Sequence, residues 1–161
     1  MCDLRPTVRG IFPFMCIRVI GALLIGAWSA AAVAGPKEDA LAVVEQWAAA
    51  FRASDVDAIT KLYAPDALFI GTGSSGVVTD PAEVRAYFER ALASDRPRSA
   101  TLGEHEAAVL SDSTVIVTGL DTVTRTRNGV ATSAVGRVTF VVARRGAVWQ
   151  IVHFHRSALP N

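Results

Sequence analysis

Residues 114–155 hold three stretches rich in β-branched and aromatic side chains, TVIVTGLDTVTRT, VATSAVGRVTFVV and VWQIVHFH, joined by connections too short to contain a helix. Strands joined so tightly must run antiparallel, because a parallel pair needs a crossover of about a dozen residues or more. The first join, Asn128-Gly129, combines two residues that tolerate positive φ and is the strongest short hairpin signal. The second, Arg144-Arg145-Gly146, fits a three-residue loop with Gly146 in the left-handed position; a two-residue loop would slide the register by one. A doubly wound parallel sheet is excluded by this meander.

Helical spacing dominates the residues that precede it. Leu41, Val44, Trp47, Ala48 and Phe51 recur at intervals of three and four between Pro36 and Phe51, one stripe of an amphipathic helix. Ser54 and Asp57 fit a capping box opening a second, short helix that carries Ile59, Leu62 and Tyr63 until Pro65 ends it. A third helix opens at Asp80-Pro81-Ala82-Glu83 and turns Val84, Phe88, Ala91 and Leu92 inward. Leu68–Ile70 and Leu102–Leu110 are shorter strand candidates. The expected class is α+β: a curved antiparallel sheet wrapped around the long N-terminal helix as a cone, whose partly open concave face leaves a pocket.

Residues 1–34 do not read as part of that fold. Arg5, Arg9 and Arg18 precede the apolar run VIGALLIGAW, and Ala32-Val33-Ala34 has the small-x-small form that a signal peptidase accepts. We expect a signal peptide over 1–34, one domain over 35–161, and a periplasmic or secreted product with no stable membrane anchor after cleavage; an uncleaved N-terminal anchor is the alternative. The apolar run is short for a membrane span, which needs about 20 residues. Both cysteines, Cys2 and Cys16, lie in the leader, so the mature chain has no disulfide or thiol nucleophile. Taking the leader's three arginines and one aspartate from 16 basic and 15 acidic residues leaves 13 and 14, without the basic surplus of a nucleic-acid binder.

The blocks WAAAFRASDVDAITKLYAPDALFIG, GRVTFVV and WQIVHFHRSALP resemble the cone-shaped nuclear transport factor 2 (NTF2)-like and SnoaL-like superfamily. Within it, the chain is most similar to the group related to the association domain of calcium/calmodulin-dependent protein kinase II and the SgcJ/EcaC-type bacterial proteins. That group tends to end in a tryptophan, a short apolar run, histidines, serines and a proline; Trp149, His153, His155, Ser157 and Pro160 match. Phe154 stands where a middle histidine is frequent, and Arg156 where a serine is frequent. The resemblance implies association through the sheet, and pockets used for isomerisation, cyclisation, hydration, dehydration or oligomerisation alone.

With the three-residue loop, Arg137 pairs with His153, Thr139 with Ile151 and Val141 with Trp149, so alternation sets Arg137, His153 and His155 on one face above Val141, Trp149 and Ile151. A guanidinium beside two imidazoles suits a carboxylate or enolate oxygen. The equally open alternative is a set of polar residues bonding one another at the mouth of the cone. In the pocket reading Arg137, Tyr63 and Trp149 bind a small hydrophobic or anionic ligand. In the enzyme reading His153 or His155 transfers a proton and Asp121 orients the imidazole, a cofactor-independent acid–base reaction on a small carbonyl or carboxylate compound. No cofactor is implied, and no metal site, because His105 in GEHEA lacks HExxH spacing. Arg96 and Arg98 read as solvated loop charges. The same register turns Val138, Phe140, Val142, Val152 and Phe154 to the outer face, where so much apolar surface implies a homo-oligomer, a dimer foremost.

Overall fold

The computed structural model describes residues 35–160; the expected leader and both cysteines lie outside the described residues. Helix α1, Pro36–Ala53, buries Ala40, Val43, Val44, Trp47, Ala50 and Phe51. Glu38 and Asp39 sit in its first turn and Arg52 in its last, the signs that suit the helix dipole. Ser54, at φ 54°, ends the helix in the left-handed conformation, and the Asp55 N–H then reaches the Ala50 carbonyl at 3.0 Å.

This C-cap corrects the expected start of the second helix. Ser54 cannot be left-handed for α1 and extended as an N-cap at once, so Asp55 takes the capping role: its side chain accepts the Ala58 N–H at 2.9 Å, and α2 spans Val56–Thr60. Leu62 and Tyr63 lie beyond α2, and strand β1, Tyr63–Ile70, contains Pro65. The proline is accommodated because β1 is a sheet edge. Helix α3, Pro81–Leu92, begins as expected, with the Asp80 carboxylate accepting the Ala82 N–H at 2.8 Å.

Four long strands follow: β2 Arg98–Ser111, β3 Thr114–Arg127, β4 Val130–Arg145 and β5 Val148–Ala158. The curved, unclosed sheet has the order β1-β5-β4-β3-β2, with β1 parallel to β5 and every other pair antiparallel. Asn128 and Gly129 close the β3–β4 hairpin at φ 50° and 78°, and the register runs unbroken from Arg127↔Val130 to Thr114↔Ala143.

The last hairpin differs from its expected register. Arg145 pairs with Val148 across a two-residue turn, Gly146-Ala147, in which Gly146 has φ 65°. Val142 then pairs with Ile151 but Val141 with His153, so Val152 is an extra residue on β5. A bulge of this kind breaks alternation: Ile151 and His153, two apart, lie on opposite faces. Arg137 consequently stands opposite Ser157 rather than His153. Val138, Phe140, Val142 and Phe154, expected outside, are buried in the core.

That core is aromatic. Trp47 stacks on Phe51 and Phe154 with centroids 5.4 Å from each, and meets Phe140 edge-on at 5.5 Å. Phe154 also stacks on Phe69 at 5.3 Å, joining β1 and β5 to the helix. Offset and edge-on pairs of this kind fix ring positions beyond what area burial alone would do. The rings fill the centre beneath α1 and leave hollows on its two flanks.

Candidate functional site

Three arginines converge near the end of the cone. Arg98 opens β2 and pairs with Arg125 on β3; both lie in phase with the inward row Ala100 and Val123. Arg156 follows Phe154 by two on β5 and shares its inward face. All three line a cavity of about 380 Å³ whose apolar wall includes Trp47, Phe51, Tyr87, Phe88 and Phe154.

Arg156 is the most constrained of the three. Its Nε–H donates to both Asp121 oxygens, at 3.0 and 2.7 Å, its Nη1 to Thr72 Oγ1 at 2.9 Å and its Nη2 to the Ala134 carbonyl at 3.3 Å. The ion pair is shielded from water, with side-chain exposures of 12% for Arg156 and 5% for Asp121. Gly136 makes this crossing possible. A Cβ there would lie 2.7 Å from Arg156 Nη2, so any larger residue would push the guanidinium away from β3.

Arg98 is in the opposite state. Only 3% exposed, it lies 5.8 Å from the centroid of the Phe51 ring and donates through Nη1 to the Ala91 carbonyl. Its Nε and Nη2 reach neither solvent nor an acceptor. Burial foremost, then the Arg96 cation, holds the guanidinium below its ordinary pKa, with Asp95 opposing and Arg125 adding to the effect. A buried cation with unmet donors is costly, and an incoming anion would relieve that cost. Arg125 forms no ion pair among the described residues.

A second hollow of about 540 Å³ lies on the other flank of α1. Leu41, Val44, Ala48, Leu102, Val138 and Phe140 form its apolar surface, Asp121 faces it from inside, and the exposed Glu45, Arg52 and His105 stand around it. The His105 Nδ1–H donates to the Gly103 carbonyl at 2.8 Å. Among the described residues no group of three or more histidine, cysteine, aspartate or glutamate side chains could hold a metal ion.

A family model for the SnoaL-like domain matches residues 40–161. The chain belongs to the SnoaL-like domain family. No curated protein sequence matches it. Among solved structures, it is similar to a protein from Xanthomonas campestris assigned as a calcium/calmodulin-dependent protein kinase II association domain, at 28% identity, TM-score 0.71, and coverage of 80% of this chain and 94% of that one. The hub homology domain of the same kinase type from Chlamydomonas reinhardtii shares 18% identity at TM-score 0.68, covering 79% and 100%. An NTF2-like protein from Streptomyces avermitilis assigned as a dehydratase shares 15% at TM-score 0.70, covering 78% and 97%. The last two likenesses establish the NTF2-like fold alone.

The SnoaL-like domain does not assemble the residue set expected from sequence. Arg137 is exposed on the outer face and donates through Nη2 to the Ala158 carbonyl at 3.0 Å. His153 and His155 share that face, His153 between Leu68 and Val141 and His155 between Ile70 and Thr139. Burial, then the neighbouring His155, lowers the His153 pKa, while a backbone bond with Leu68 opposes the shift. Trp149 is half-buried opposite Arg144 and belongs to neither large cavity. Tyr63 is a core post whose hydroxyl accepts the Trp47 Nε1–H at 2.9 Å, and burial pushes its phenol well above the ordinary range against the opposing effect of that bond. Of the expected set, Asp121 alone reaches either hollow beside α1, and it holds Arg156 rather than an imidazole.

Sequence reasoning missed the three arginines that line the smaller cavity. Arg98, read as a loop charge, lies on β2 in phase with Ala100, which is a legible period-two signal. Arg125 follows Val115, Val117, Asp121 and Val123 in the same way. Arg156 was visible only as a departure from the resembled ending, and its phase depends on the bulge at Val152.

Proposed function

We propose that this SnoaL-like domain is an exported, self-associating module that binds a small carboxylate or similar anion in the arginine-lined cavity. The observation that carries the reading is Arg98: buried, cationic, and with two N–H groups lacking an acceptor. Turned toward the cavity, the Arg98 guanidinium would present those donors to a ligand carboxylate with Arg125 alongside, while Phe51, Tyr87 and Phe88 offer an apolar wall to the rest of an aromatic or aliphatic acid. Arg156, held in place by Asp121, Thr72 and Ala134, would turn the positive end of that ion pair toward the ligand without having to reorganise.

Self-association draws support from the outer face of the sheet, where Leu68, His153, Val141, Ile116 and Ala108 form one continuous row across all five strands. The 28% identical structure is assigned as an association domain. Export rests on the basic start, the apolar run and Ala32-Val33-Ala34. The acid–base reading loses its imidazoles, since His153 and His155 lie across the sheet from both cavities.

Calorimetric titration with benzoate tests the binding reading. Saturable binding is expected, weakened at least about tenfold by Arg98→Gln and unchanged by Arg137→Gln, a tenfold change being roughly 1.4 kcal/mol. Equal affinities for Arg98→Gln and the unaltered chain would defeat it.

A further inference from the structure

We propose that the larger cavity is a second, separate ligand site, which takes an uncharged and largely apolar molecule bearing one N–H or O–H group for the Asp121 carboxylate. The hollow arises from how α1 is built. Its core stripe, Val43, Val44, Trp47, Ala50 and Phe51, presses on the aromatic centre, while a second stripe, Leu41, Glu45, Ala48 and Arg52, runs along the flank toward β2. Ala48 on that stripe and Ala100 on the sheet are both too small to close the space between helix and strand. A volume of about 540 Å³ remains, well inside the range of roughly 300–1,000 Å³ in which small-molecule sites are found.

Charge decides what could occupy it. Asp121 is the only buried ionisable group in its wall, 4% exposed, and its charge is already balanced by Arg156. An anion would meet the carboxylate at close range. A cation would surrender its hydration for a carboxylate already paired. A neutral donor meets neither penalty, because a carboxylate has about four acceptor positions and the Arg156 Nε–H occupies one on each oxygen. Glu45, Arg52 and His105 are exposed and mixed in character, so they impose no single sign on what enters.

The site is distinct from the anion cavity. Trp47 lines both hollows, and the Asp121–Arg156 pair has one member in each wall. Trp47 is fixed by its bond to Tyr63 and its stack on Phe154, so this partition is rigid. Opposite ligand chemistries on the two sides of one indole make the sites separable by experiment.

The probe is N-phenyl-1-naphthylamine, a neutral apolar fluorophore with one N–H, titrated into the full chain at neutral pH. We expect saturable enhancement of its emission at one probe per chain, weakened about tenfold or more by Ala48→Phe and by Leu41→Trp. The first fills the hollow and the second narrows its half-exposed rim, so a folding failure of one leaves the other to decide, with thermal melting as the check. The N-methylated probe, which lacks the donor, should bind several-fold more weakly. Arg98→Gln and saturating benzoate should leave the probe's affinity unchanged. Absence of binding, indifference to both cavity variants, equal binding of the N-methylated probe, or displacement by benzoate would each overturn the proposal.

Discussion

Replacing Arg156 with methionine should be among the most damaging single changes available on the sheet's inner face. The substitution keeps most of the aliphatic bulk but removes the one ion-pair partner that the Asp121 carboxylate, 5% exposed, has among the described residues. Breaking a buried pair from one side costs about 3–5 kcal/mol, much of it the penalty of stranding the remaining charge. With a urea slope of about 2 kcal/mol per M, typical of a small domain, the unfolding midpoint should fall by about 2 M. Asp121→Leu/Arg156→Met removes both charges and should regain most of that loss, because a well-packed apolar replacement of a buried pair is often neutral or stabilising. Urea unfolding of the unaltered chain, both single variants and the double variant closes the cycle. A loss below about 1 kcal/mol in Arg156→Met, or a double variant no more stable than that single one, would refute the reasoning that the carboxylate depends on this one guanidinium.

Three further outcomes are expected. Because His153 has a lowered pKa in the fold, protonation favours the unfolded chain: its contribution is complete above the ordinary imidazole value and is lost as pH falls through the lowered folded value. Melting temperature should therefore drop across that window, and His153→Gln should flatten the drop; an identical pH profile in the variant would count against it. Val141→Lys, placed in the middle of the outer apolar row, should shift sedimentation toward the monomer without loss of folded signal, and a monomeric unaltered chain at micromolar concentration would remove the basis for the assembly. Intact-mass measurement on protein from an extracytoplasmic fraction should show loss of residues 1–34; a mass that retains Trp28 would contradict cleavage.

Much of the architecture was legible because its signals are local. Asn128-Gly129 adopts the two positive φ values that its hairpin requires, and Asp80-Pro81 starts α3 through short-range chemistry. The inward arginines were less visible, because a basic residue beside Pro97 looks like a loop until its phase with Ala100 is taken into account. The face of β5 could not be read locally. Gly146 does take positive φ, as expected, but as the first residue of a two-residue turn rather than the last of a three-residue loop; the pairing thereby slides by three residues, and Val152 then adds a second offset. What fixes that second offset is tertiary: Phe154 reaches Trp47 and Phe69 from a position that strict alternation from Ile151 would turn to solvent. Asp121 meets Arg156 rather than the expected imidazole for the same reason, since only the bulged register brings Arg156 across Gly136.

The bulge at Val152 also bears on how this protein can change over generations. Point substitution alters one side chain at a time, but loss of the single Val152 codon would turn over everything beyond it in the last strand. His153 and His155 would swing under the helices, and Phe154 and Arg156 would move to the outside. The chain's end thus carries two chemically different surfaces on one ribbon, exchangeable by a three-nucleotide deletion. A family that reuses one scaffold for different pockets has in this position an inexpensive route from one surface chemistry to another, provided the neighbouring strands can repack around it.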